Sequence, residues 1–91
     1  TLGSVLVEKG EFGEAEPLLK RCFEESPAQH DRAISAFYLA VIEAGRGSLK
    51  DARALAREAA ELYPAHWLME KVEALTKRLD TEEERRKRES P

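Results

Sequence analysis

"GEFGEAEPLLKRCFEESP", Gly10 to Pro27, carries a glycine at its front, a proline at its back and a small residue, Ala15, between them. The same punctuation returns in "GSLKDARALAREAAELYP", Gly47 to Pro64, with no gap between the two copies, a period of 37 residues. Gly10 aligns with Gly47, Phe12 with Leu49, Ala15 with Ala52, Leu19 with Ala56, Cys22 with Ala59 and Pro27 with Pro64. Upstream, Leu2-Gly3 aligns with Leu39-Ala40 in the same register.

Each copy reads as a helical hairpin. Apolar residues recur at helical spacing on both sides of a glycine turn, and the proline ends the second helix. In the second copy the turn is Gly45-Arg46-Gly47, and Ser48 with Asp51 has the spacing of a capping box. Ala15 and Cys22, like Ala52 and Ala59, stand seven apart on one helical face, where small side chains let a neighbouring helix approach closely.

Composition points the same way. Ala, Glu, Leu, Arg and Lys dominate the 91 residues, which favours helices over strands, and a chain this short builds only a modest core. The fold class expected is therefore all-α. Fifteen basic against eighteen acidic side chains give a net charge of −3, with no global cationic field to draw the chain onto nucleic acid. The longest nearly apolar run, Ala33 to Ile42, is far short of the roughly 20 residues that cross a membrane, so no membrane partner is expected. A single cysteine, Cys22, suits a reducing compartment, and the cytoplasm is the expected location. The chain opens at Thr1 inside an apolar-periodic segment, as a piece of a longer polypeptide would.

With Leu2-Gly3, the glycine turn, Ala15 or Ala52, the apolar or small residue four later and the closing proline, the pattern resembles the tetratricopeptide repeat over Leu2 to Pro64. The phrase "EAEPLLKR" is similar to the longer repeats of the kinesin-light-chain type. The resemblance implies antiparallel helix-turn-helix units stacked as a short right-handed solenoid: a partial repeat over 1–27, a full repeat over 33–64 and a capping helix over 65–79. Two positions depart from the family pattern, since Ala36 and Glu43 stand where aromatics are usual, and "AQHDR" after Pro27 reads as extra loop. A plain three- or four-helix bundle is the alternative.

After Pro64, "AHWLMEKVEALTKRL" lines up Leu68, Val72, Leu75 and Leu79, the stripe of a capping helix, with Trp67 expected to anchor its start. The tail over 80–91 has no large apolar residue. It reads as a solvated helix or linker with a capping box of its own at Thr81 and Glu84, and with pairs Glu82–Arg86, Glu83–Lys87 and Glu84–Arg88.

Nothing in the chain points to catalysis. Cys22 lies on the small-residue face and reads as a packing thiol, and neither His30 nor His66 has a carboxylate at a recognisable orienting distance in sequence. Scattered over separate segments, these three residues do not make a metal set, so no metal and no cofactor is expected. "GRGS" is a turn without the strand or the Lys-Ser/Thr ending of a phosphate loop, and the basic run Arg85 to Arg88 is neutralised by adjacent glutamates.

The helix "DRAISAFYLAVIEAG" is apolar around most of its circumference and must be covered on more than one side. Ala36, Leu39 and Ala40 are expected to pack within its own repeat. Ile34, Phe37 and Val41 form a second stripe, either covered by neighbouring helices or open to a partner. The resemblance implies the second: first helices of such repeats line a concave groove, and the partner-binding residues would be Ile34, Phe37 and Val41, with Ser4 and Val7 as counterparts in the partial repeat. The chain has no asparagine, and Ser4 and Val41 stand where chaperone-tail-binding members of the family use one, so a clamp for acidic chaperone tails is not expected. The function expected is a non-catalytic protein-interaction scaffold presenting an apolar groove to a peptide or helix; the alternative is homo-oligomerisation through the terminal helices.

Overall fold

The computed structural model describes residues 10 and 12–89. Four helices follow one another: α1 (Phe12–Glu25), α2 (Gln29–Gly45), α3 (Leu49–Leu62) and α4 (His66–Glu89). Among the described residues there is no strand. Neighbours in sequence pack against each other, α2 also meets α4, and no Cα of α1 lies within 8 Å of one in α3.

The 37-residue period of the sequence is also the period of the helix boundaries. α1 and α3 start at the equivalent residues Phe12 and Leu49 and end at Glu25 and Leu62, and α2 and α4 start at Gln29 and His66. Gly10 and Gly47 both lie in the left-handed region, at φ 82° and 85°, where a side chain is strained. Each proline stands two residues past a helix end, and the next helix opens with the same bond, Arg32 N–H to Ala28 O in one copy and Met69 N–H to Ala65 O in the other.

Local chemistry explains the turn. α2 closes with the Gly47 N–H donating to Ala44 O and the Ser48 N–H to Glu43 O, the paired bonds of a Schellman motif around a glycine. That motif overrides the capping box expected at Ser48 and Asp51. The Ser48 N–H, which the Asp51 carboxylate would accept from, is already given to Glu43 O at 2.9 Å, and the Ser48 side chain makes no capping bond.

The "AQHDR" stretch is not loop. α2 begins at Gln29 and runs 17 residues, so the added length of the repeat goes into a first helical turn, with Asp31 at the end where a negative charge is favoured.

The core is built on alanine. Ala33, Ala36, Ala40, Ala52, Ala56 and Ala59 are all 0–2% exposed and pack α2 against α3, together with Leu68, Leu75 and Leu79 from α4. Ala15, Leu19, Leu39 and Ile42 form a second cluster between α1 and α2. Leu39, expected to pack within its own repeat, joins the cluster with α1, against which Leu55 of α3 also packs. The α4 stripe is as expected except at Val72, which is only half-buried. Trp67 does not anchor α4 in the core: it is 42% exposed, and its neighbour Leu68 is the buried residue.

α4 does not stop near residue 79. It is one helix to Glu89, and Thr81 caps nothing, because its hydroxyl bonds back to Lys77 O inside the helix. Glu82 and Glu84 pair with Arg86 and Arg88 as the spacing predicts, but Glu83 turns away from Lys87 to Arg53 of α3, at 2.8 Å, and Asp80 joins it at 2.6 Å. Hydrogen bonds from Arg53 to these two carboxylates raise its pKa further above its ordinary value, so it stays charged. Beside the α2–α3 turn, Arg46 ties α2 to α1 through Glu16, whose carboxyl it holds below the ordinary value.

Arg53 is therefore the ion-pair tie between the charged part of α4 and α3, beside the close approach of the Arg86 guanidinium to Gly47. Exposed ion pairs contribute about 0.2–1 kcal/mol each. Arg53→Gln is expected to lower stability by about 1 kcal/mol and to speed amide exchange over residues 80–89 while leaving α1 and α2 unchanged. Equal exchange in both chains would show that the pairing contributes nothing.

Candidate functional site

The stripe Ile34, Phe37 and Val41 faces α4, and α4 covers most of it. Phe37 is 9% exposed and belongs to the main core, with its ring edge-on to Tyr38 at 5.4 Å, while Ile34 and Val41 are half-buried. The reason is the placement of Leu68, Leu75 and Leu79, which must bury their own stripe and do so over this face of α2 and over α3. Ser4 and Val7 lie outside the described residues.

What stays open is a cleft along the α2–α4 seam. At its upper end Ile34 and Tyr38 of α2 face Trp67 and Lys71 of α4. Lower down, edges of Phe37 and Val41 meet Ala74 and Arg78. The floor is apolar and the α4 rim is cationic, with Asp31 at one end and Glu82 at the other.

An aromatic group closes the upper end. His30 lies edge-on to Tyr63 at 5.1 Å and to Trp67 at 6.0 Å, and its Nδ1 is 3.4 Å from Asp31. The sequence held a signal for this contact, since His30 and Trp67 are equivalent positions one period apart and stacked hairpins bring equivalent positions together.

A carboxylate does stand beside each histidine, Asp31 at His30 and Glu70 at His66 with a distance of 2.9 Å, which the sequence reading did not anticipate. His66 and Glu70 are well exposed. Cys22 is half-buried and its Sγ lies 3.8 Å from Asp31 O, a packing position. Among the described residues no three His, Cys, Asp or Glu side chains converge as a metal site, and no helix is long and apolar enough to cross a membrane.

A second depression lies on the other side of α2, between α1 and α3. Leu39 forms its floor, Phe23 and Leu55 its walls, and Glu24, Glu43 and Asp51 stand around it with Lys20.

No family model, no curated protein and no solved structure matches the chain.

Proposed function

We propose that the chain is a non-catalytic protein-interaction module of the tetratricopeptide kind, stacked as a right-handed solenoid, and that it binds a partner peptide or helix along the α2–α4 cleft. In this reading α1 is the second helix of a partial repeat, α2 and α3 form the full repeat, and α4 takes the place of a following first helix. The recurrence of helix boundaries at the sequence period supports the repeat reading. A reducing compartment such as the cytoplasm suits a scaffold whose one thiol is unpaired.

One observation carries the assignment of the site: Trp67, 42% exposed, stands beside half-buried Ile34 in a cleft with an apolar floor. A half-open tryptophan over an apolar recess is the kind of group that dominates interface energetics. The matching partner presents one or two apolar anchors to Ile34, Trp67 and the exposed edge of Phe37, and carboxylates to Lys71 and Arg78.

Selection of peptides from a displayed random library on the immobilised chain tests this. Trp67→Ala, at a residue outside the core, is expected to weaken the selected peptides at least about tenfold, which is 1.4 kcal/mol, without change in helix content or melting temperature. Peptides that bind Trp67→Ala as tightly as the parent chain would place the site elsewhere.

A further inference from the structure

The depression between α1 and α3 follows from the packing order. Both helices lie against α2, yet their backbones keep all Cα pairs more than 8 Å apart, so a valley runs over α2 between them. Its lining residues on α2, Leu39 and Glu43, are about 200° around the helix from Phe37 and Val41 respectively, at 100° per residue. The valley therefore opens on the face opposite the α2–α4 cleft.

Its rim is acidic on balance. Phe23, Leu39 and Leu55 supply apolar surface, and the rim carries three carboxylates, Glu24, Glu43 and Asp51, against one ammonium, Lys20. Glu43 shares Arg46 at 3.3 Å with Glu16. Glu24 and Asp51 are exposed and make no ion pair among the described residues. Two unmatched carboxylates flanking an apolar trough favour a cationic visitor, because each gains a partner without losing one it already has.

We infer that the α1–α3 valley is a second docking surface, and that its occupant is a short, basic, amphipathic helical segment of another protein. The lining spans one turn on each wall, Lys20 to Glu24 and Asp51 to Leu55, so about one turn of the partner, with apolar groups at i and i+4, sits in the trough. Apolar side chains at i and i+4 reach Phe23, Leu39 and Leu55, and flanking lysines or arginines meet Glu24 and Asp51. Partners of opposite charge on the two faces let one chain hold two different proteins at once.

The probe is a synthetic amphipathic peptide of leucine and lysine, compared with the same peptide carrying glutamate for lysine, by fluorescence anisotropy and by amide shift mapping on the full chain. The lysine peptide is expected to shift the amides of Phe23, Glu24, Asp51 and Leu55. Its affinity should fall at least tenfold in Glu24→Lys/Asp51→Lys and at least tenfold for the glutamate peptide, and stay unchanged in Trp67→Ala. The proposal is overturned if the lysine peptide does not bind, if its shifts fall on the α2–α4 cleft, or if the double reversal leaves affinity intact. It is also overturned if the chain alone self-associates in sedimentation and the double reversal abolishes that, which would make a second copy the occupant. The Trp67→Ala arm keeps the outcome separate from that of the α2–α4 cleft.

Discussion

The Phe37→Glu chain is expected to be unfolded at 25 °C, with loss of the helical circular dichroism and of a cooperative melt. Truncating a buried phenylalanine alone costs about 3–5 kcal/mol. Glutamate adds the cost of placing a carboxylate among Ala33, Ala40, Leu68 and Leu75, offset only in part by Lys71 and Arg78 at the cleft rim. A domain of this length has roughly 5–14 kcal/mol of stability in total, so this one substitution removes most or all of it. The reading of Phe37 as an exposed anchor predicts the reverse, a folded chain that has lost only its partner. A Phe37→Glu protein with parental helix content and melting temperature would show that α4 does not cover α2.

The second large effect concerns the alanines. Ala52 and Ala59 are fully buried on the face of α3 that meets α2, and their smallness sets the separation of the two helices. Each Ala→Leu change adds side-chain volume where none is available, at about 1–3 kcal/mol per site. The two positions are about 10 Å apart along the helix, far enough for their costs to add. Ala52→Leu/Ala59→Leu should therefore lose about 2–6 kcal/mol in urea unfolding, whereas Ala54→Leu, on the exposed side of the same helix, should lose little. Similar losses at Ala54 and at the buried pair would mean that helix separation is not set by this stripe.

Much of the fold was legible because its signals are local. Pro27 and Pro64 end helices through their own ring chemistry, Gly10 and Gly47 supply a left-handed turn, and the spacing of Ala15, Ala52 and Ala59 marks the buried face without knowledge of the neighbour. What was misread depends on partners distant in the chain or on a competing bond. The capping box at Ser48 failed because Glu43 O had taken the donor, and the tail stays docked because Arg53, 27 and 30 residues away, reaches Asp80 and Glu83.

The candidate site was legible only in part. Helical spacing put Ile34, Phe37 and Val41 on one stripe, but spacing does not say which helix will cover a stripe, and α4 does. Trp67 was expected to anchor the start of α4; it meets His30 of α2 there but stays 42% exposed, because Leu68 takes the inward place. The α1–α3 valley had no signal at all in the sequence, as it arises from two helices whose backbones stay apart over α2.

At the centre of the account is the claim that α3 and α4 repeat the arrangement of α1 and α2, related by one rotation and translation. Backbone residual dipolar couplings on the full chain test it most directly, because they report the orientation of every helix axis in a common frame. The account predicts the same interaxial angle for α1 with α2 as for α3 with α4, and one rotation that carries the first pair onto the second. Unequal angles, or an α4 axis that no such rotation reaches, would contradict it.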